Sequence, residues 1–250
     1  MSRYFVVSTV FLTLLIGSLM IDGSVIVAWS WYAGLISLFL IITGAGVLFP
    51  RLDYFFQTTR FSDPAGGVAL TFNADNTDTV SPVLAILDTY KIPATFFCSG
   101  VFVKRYPETI KQIIEAGSLL GNYGYNDRAG FSFSASSVIT KALADTDHLI
   151  FKTSGKHVKN FRSPTRFSTP MLAKAIKRRN YKIIGFSKIF SVGMQAELFS
   201  NWLDHVKEGD IILCKQTDPD QVSLLITALK TRGFIFARVD ELLKQRGSTP

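Results

Sequence analysis

The side chains that offer chemistry lie at the ends of short apolar runs. VALTFNADNTDT (68–79) carries Asn73, Asp75 and Asp78; LLGNYGYND (119–127) carries Tyr123 and Asp127; NFRSPTR (160–166) carries Arg162 and Pro164; EGDIILCKQ (208–216) carries Lys215. Three carboxylates brought to one place hold a divalent cation or accept a proton, and Lys215 is a cation that pairs with one of them. Simpler roles compete. Asp75 suits a tight turn and Asp78 the start of a helix, so neither needs a reaction to explain it. Asn73 has no useful basicity, because an amide does not take a proton at neutral pH.

Other reactive sets are poorer. His148, His157 and His205 lie outside these runs, and solvated or packed imidazoles account for them. In DTDH (145–148) neighbouring helical positions point in different directions, so these side chains do not converge on an ion. The chain has neither a G-x-S-x-G elbow nor a phosphate-binding glycine loop. Cys98 and Cys214 end two apolar runs at no metal-binding spacing and read as buried small hydrophobes.

The elements that must position these residues follow from hydrophobic periodicity. Strands are expected at 68–72, 94–98, 119–122, 160–162, 181–186, 210–214 and 234–237. Between them lie amphipathic helical patterns. One is SPVLAILDTYK, with Ser81 as N-cap and Pro82 at its first position; another is YPETIKQIIEAG, opened by Pro107 and stopped by Gly117. Further helices are expected over 135–152, 169–179, 195–206 and 221–231. Strict alternation of strand and helix specifies a mostly parallel sheet, whose function gathers in the loops after the strands.

The first 50 residues are different. An apolar run at 4–21 and another at 25–49 are each long enough to cross a bilayer, which takes about 20 residues as a helix. Arg3 and small residues near Ser18 would suit a secretory signal peptide, but a clear cleavage site is missing, so an uncleaved hairpin turning at DGS (22–24) is expected. Trp29, Trp31 and Tyr32 suit the headgroup level. Residues 51–67 read as a connector ending in a Pro/Gly break, and 68–250 as one α/β domain.

Arg3 and Asp22 are the only charges in the first 50 residues, so the net charge of +8 belongs to the rest. Such a surface suits anionic lipid, an acidic wall polymer or nucleic acid. Nucleic acid has only the charge in its favour. The densest basic cluster, KAIKRRNYK (174–182), is accounted for as a solvated helix face.

Taken together, the loop segments resemble the polysaccharide deacetylase family, the NodB homology domain. VALTFNADN is similar to that family's T-F-D-D-G-P strand, IPATFFCSGVFVKRYPETIKQIIEAG (92–117) to its second strand and helix, LLGNYGYND to its G-N-H loop, NFRSPTR to its F-R-x-P-Y-G segment, and EGDIILCKQ to its late G-D-I-x-L-x-H strand. The resemblance spans about 68–243 and implies a deformed (β/α) barrel of about seven strands. It also implies a metal-dependent removal of acetyl groups from chitin-like polymers or peptidoglycan, and here the chain departs from the pattern. The family's base falls on Asn73, its metal-ligand aspartate on Ala74, its two ligand histidines on Tyr123 and Asp127, and its acid on Lys215. Arg162, which in the family orients the base, remains, as does Pro164.

The expectation is therefore a membrane-anchored, non-catalytic relative without a metal cofactor, binding a cell-envelope glycan such as peptidoglycan, or an envelope protein. Its groove would comprise Asn73, Asp75, Asp127, Arg162, Pro164 and Lys215. The alternative is an active N-deacetylase with zinc or another divalent metal at a rewired site using Asp75 and Asp127. A third reading is a structural membrane component in which the hairpin matters more than the barrel. Basic residues Arg3, Arg51 and Arg60 favour both helix ends inside, whereas the family's substrates favour a barrel outside the cytoplasm; the expectation leans outward on the resemblance.

Overall fold

The computed structural model describes residues 2–22, 29–62, 67–74, 77–126, 130–191, 193–215 and 218–244. Seven parallel strands make one sheet: β1 (Ala69–Ala74), β2 (Thr95–Cys98), β3 (Leu119–Asn122), β4 (Asn160–Phe161), β5 (Lys182–Ile183), β6 (Lys188–Ser191) and β7 (Ile211–Lys215). Their order across the sheet is β5-β4-β3-β2-β1-β7-β6. β5 and β6 therefore sit at opposite edges although only residues 184–187 separate them. Five extended steps reach about 17 Å, while seven flat strands would hold their edges about 29 Å apart. The sheet must curl, and it forms an open barrel.

Residues 53–62 help to close the gap. Thr59 pairs with Ile184 and Phe61 with Asp210 as isolated bridges, and Ser62 N–H donates to the Gly209 carbonyl at 2.8 Å. Arg60 is held there by a two-pronged pair with Asp53, at 2.8 and 3.1 Å. The segment expected to be a simple connector is thus part of the barrel wall.

Alternation along β1 divides its side chains between two compartments. Leu70, Phe72 and Ala74 belong to the main core between sheet and helices, together with Phe96, Cys98, Ile110, Ile113 and Cys214. Ala69 belongs to a smaller core inside the barrel with Phe97, Ile184 and Ile211. Both cysteines are buried and free, and burial pushes both thiols above their ordinary range.

The helices are α1 (Arg3–Asp22), α2 (Trp29–Leu48), α3 (Thr77–Tyr90), α4 (Gly100–Arg105), α5 (Pro107–Glu115), α6 (Ser136–Ser154), α7 (Pro170–Arg179), α8 (Ala196–Asp204), α9 (Pro219–Thr231) and α10 (Val239–Lys244). Pro107 opens α5, and Gly117 follows it with φ +72°. The start of α3 corrects the expectation at Ser81. The helix begins at Thr77, and Pro82 lies inside it, costing only the bond its missing N–H would make to the Asp78 carbonyl. The expected strand over 234–237 is also absent. Gly233 turns the chain at φ +82°, α10 begins at Val239, and only Phe236 between them bridges, to Val68. The strand expected over 181–186 stops at Ile183, because the carbonyls of Ile184 and Gly185 turn to bond Arg162. Strand β6 and helices α4 and α10 were not anticipated.

α1 and α2 are long and apolar enough to cross a membrane, with little of either covered by protein. They pack on each other, Phe11 stacking on Phe39 at 4.4 Å between ring centroids. The expected turn at 23–24 lies outside the described residues. At the other end the pair joins the barrel: Tyr4 N–H donates to the Tyr54 carbonyl at 2.9 Å and Ser168 N–H to the Val47 carbonyl at 3.1 Å. Gly46 makes this junction possible, since a Cβ there would lie 2.2 Å from Cδ1 of the Tyr54 ring.

Helix α4 depends on its cap. Ser99 Oγ accepts from Phe102 N–H at 3.2 Å in a buried position. Ser99→Ala should therefore lower the unfolding free energy by about 1 kcal/mol, read as a drop in the thermal midpoint of the detergent-solubilised chain; an unchanged midpoint would contradict this cap's contribution.

Candidate functional site

The loops after the strands converge at one end of the barrel, and a cavity of about 270 Å³ opens there. Asn73 from β1, Tyr123 just after β3 and Lys215 at the end of β7 line it, with Thr79 and Val80 of α3 on one side. Its deeper wall is apolar, built by Phe72, Phe96 and Leu213.

Arg162 organises the polar part. It follows β4, and its own N–H donates to the Asn122 carbonyl at 3.0 Å, which sets the side chain pointing into the barrel. Only 3% of the residue is exposed. Its Nη1 donates to Asn73 Oδ1 at 3.2 Å, Nε to the Ile184 carbonyl at 3.2 Å and Nη2 to the Gly185 carbonyl at 2.9 Å. The guanidinium carbon stands 4.1 Å from the centre of the Phe97 ring. Burial pulls the guanidinium down to about 9, so it remains cationic at neutral pH, with Tyr123 and Cys214 opposing the shift. Three oxygen dipoles and a ring face solvate the charge where an acid would do so more cheaply.

Asn73 is the hinge between this cation and the cavity. Its Oδ1 faces Arg162, and its Nδ2 donates to the Tyr123 hydroxyl at 3.1 Å. The amide is thereby oriented without ambiguity, oxygen to the cation and nitrogen to the phenol. Gly121 supports the arrangement, since a Cβ there would meet Cδ1 of Phe97 at 2.5 Å and push away the ring beneath Arg162.

Asn73, Tyr123 and Arg162 are thus joined by hydrogen bonds, and Lys215 shares their cavity. Ala74 contributes a methyl group that is buried in the core. Pro164 lies in the loop after β4 and is not part of the cavity wall; the structure gives no further account of it. Asp75 and Asp127 fall outside the described residues. The described positions do not fit a divalent metal: they offer a methyl group, a phenol and two cations, and among the described residues no three His, Cys, Asp or Glu side chains come together.

Some residues act where no role was anticipated. Asn122 is fully buried; its Nδ2 donates to the Leu143 carbonyl and the Tyr181 hydroxyl, both at 2.9 Å, and its Oδ1 accepts from Gly124 N–H at 2.8 Å. It fixes the loop that carries Tyr123. Burial pushes the Tyr181 phenol up to about 12, with Asp147 adding to the effect. In the DTDH segment the side chains do diverge. Asp147 is buried against Arg179, His157 and the Val158 N–H, whereas Asp145 pairs with Lys141 on the surface.

With this geometry in hand, comparison with known proteins is informative. The model of a family described as polysaccharide deacetylase matches residues 62–184. The chain is 26% identical over 191 residues to the peptidoglycan-N-acetylmuramic acid deacetylase PdaA of Bacillus subtilis, covering 72% of each. It is 27% identical over 192 residues to a peptidoglycan-N-acetylglucosamine deacetylase of Bacillus cereus, covering 72% of this chain and 89% of that one. Its fold is similar to the crystal structure of a CE4 family pseudoenzyme from Bacillus anthracis, at a TM-score of 0.64 and 22% identity, covering 73% of this chain and 67% of that one.

The Asn73–Arg162 contact makes a pH-dependent prediction. In Asn73→Asp the new carboxylate sits beside a buried cation, so its folded pKa falls below the unfolded value of about 3.9. The added stability should be present above about pH 3.9 and vanish as pH falls through the folded value. Thermal midpoints of variant and parent, compared from about pH 2 to pH 7 in detergent, should converge in acid; a constant difference would refute the pairing.

Proposed function

We propose, from the premise that this chain belongs to the polysaccharide deacetylase family, that it is a membrane-anchored, non-hydrolytic member which holds a cell-envelope glycan at the barrel mouth. The observation that carries the reading is the amide at position 73, oriented between Arg162 and Tyr123. In the family pattern this position supplies the base. An amide there binds by donating and accepting hydrogen bonds but removes no proton from water.

The rest of the mouth supports binding over hydrolysis. Asn73 and Tyr123 give it polar atoms and Lys215 adds a cation, with buried Phe72 and Phe96 forming the apolar backing behind them. Sugars combine apolar faces with hydroxyl edges and are matched by such a mixture. In members of the family that hydrolyse, a divalent ion would polarise the acetyl carbonyl. Here Lys215, where the family pattern has its acid, would oppose a cation by charge repulsion. The two relatives compared above are named for acting on peptidoglycan, which supports a wall glycan as the ligand.

Anchoring is supported by the dimensions of α1 and α2. Each has 20 residues, which at 1.5 Å per residue matches a hydrocarbon core of about 30 Å. An extracytoplasmic barrel is supported by the relatives' wall substrates, against the local excess of arginine at the helix ends.

Incubating the solubilised full-length protein with peptidoglycan and with N-acetylated chitin oligomers, plus zinc or cobalt, should release no acetate. Binding to insoluble peptidoglycan should persist and weaken about tenfold in Tyr123→Ala, the loss of a contact worth roughly 1.4 kcal/mol. Metal-dependent acetate release would overturn the non-hydrolytic reading and return Asp75 and Asp127 to consideration as ligands. The side of the membrane is tested separately, by placing a cysteine at exposed Lys230. The native thiols are buried, so an impermeant reagent should label only the new one in intact cells; labelling only after lysis would put the barrel inside.

A further inference from the structure

The basic cluster on α7 has no part in the mouth, and its surroundings give it one elsewhere. α7 is amphipathic: Leu172, Ala175 and Ile176 are buried, whereas Lys174, Lys177 and Arg178 are exposed. A cavity of about 730 Å³ runs along it. Phe55, Ile176 and Ile183 form its apolar floor, and Lys174, Lys177 and Lys182 stand around it. No carboxylate belongs to its described wall, and none of the three lysines forms an ion pair with a described residue. A second cavity, of about 330 Å³, adjoins it through Lys182 and Leu243; Lys156, Lys159 and Lys244 line it, together with Asp240, which is paired with Arg238.

One shared cavity wall and one hydrogen bond place α7 relative to the membrane-length helices. Ser2, which immediately precedes α1, lines the larger cavity together with Ala173 and Lys177. Ser168, just before α7, donates its N–H to the carbonyl of Val47 in the last turn of α2, at 3.1 Å. Both helices thus emerge beside α7. The apolar sequence of α1 begins at Tyr4, two residues and about 3 Å from Ser2. The headgroup layer is about 5–8 Å deep on each side of the hydrocarbon. Ser2, and with it the near edge of the cavity, would then fall within that depth.

We propose that α7 and this cavity form a binding site for anionic phospholipid headgroups, holding the barrel against the membrane surface. The inference rests on the anchoring reading above. The lysines meet the phosphate, and the floor of Phe55, Ile176 and Ile183 meets the glycerol and the first methylenes of the acyl chains. Lysine stems also extend over such a surface while their ammonium groups stay in the polar layer. The occupant is a lipid and not a soluble polyanion, because the site adjoins the ends of both bilayer-length helices and its floor is apolar.

The test uses the full chain carrying Gln57→Cys, an exposed position in the cavity wall, labelled with an environment-sensitive fluorophore. It is reconstituted into nanodiscs of phosphatidylcholine alone or mixed with phosphatidylglycerol. The inference expects a blue-shifted emission and several-fold slower hydrogen exchange over 170–182 with the anionic lipid only. Both effects should be lost in Lys174→Glu/Lys177→Glu/Lys182→Glu, and the first should be reversed by high salt. Equal signals in the two lipid compositions would overturn the proposal. So would a response in phosphatidylcholine discs to soluble poly(glycerol phosphate) equal to that given by the anionic lipid. A chain that fails to co-float with either vesicle composition refutes the anchor itself, and is told apart from a chain that floats but shows no lipid dependence.

Discussion

A cation buried at the centre of the barrel, without an acid among its described partners, is the constraint around which the described structure is arranged. Arg162 reaches β1 through Asn73, the crossing from β5 to β6 through the carbonyls of Ile184 and Gly185, and β2 through the Phe97 ring. These are the parts that must be held together for a parallel sheet to curl. The guanidinium suits this work because its planar fork offers several donors in fixed directions. The same bonds that close the barrel also aim Asn73 and, through it, Tyr123 at the mouth. Folding and site geometry therefore share one side chain.

The amide at 73 offers an oxygen to Arg162 and a nitrogen to Tyr123, so the bonding network is satisfied by a group without useful basicity. Asn122, buried and fully bonded, holds the neighbouring loop independently of what position 123 does. Ala74 fills its place in the core. The packing that carries stability and the groups that would carry a reaction are separable here, because β1 sends alternate side chains to different compartments.

The junction with α1 and α2 fixes these two helices against the barrel. Tyr54 seats against Gly46, Ser168 bonds Val47, and Ser2 borders the cavity along α7. The Ser168–Val47 bond holds the start of α7 beside the end of α2. Residues 53–62 continue from this junction into the barrel wall.

Much of this was legible in the sequence. Strict strand–helix alternation specified a parallel α/β domain, and the uninterrupted apolar runs specified two bilayer-length helices, because both signals are local and periodic. Pro107 and Gly117 marked helix ends for equally local reasons. Spacing alone also placed Asn73, Tyr123, Arg162 and Lys215 in loops that share one end of the sheet. Ser81 misled, because α3 begins at Thr77 and carries Pro82 in its interior, against proline's usual place in the first turn. The strand expected at 234–237 is reduced to the one bridge between Phe236 and Val68, and the long one expected at 181–186 ends where the carbonyls of Ile184 and Gly185 are taken by Arg162. The direction of the Asn73 amide, the burial of the Arg162 charge and the meeting of α7 with the ends of α1 and α2 join residues tens to more than a hundred positions apart. Residue types and local periodicity thus determined the elements and the groups at hand; only the closed tertiary structure decided which of them touch.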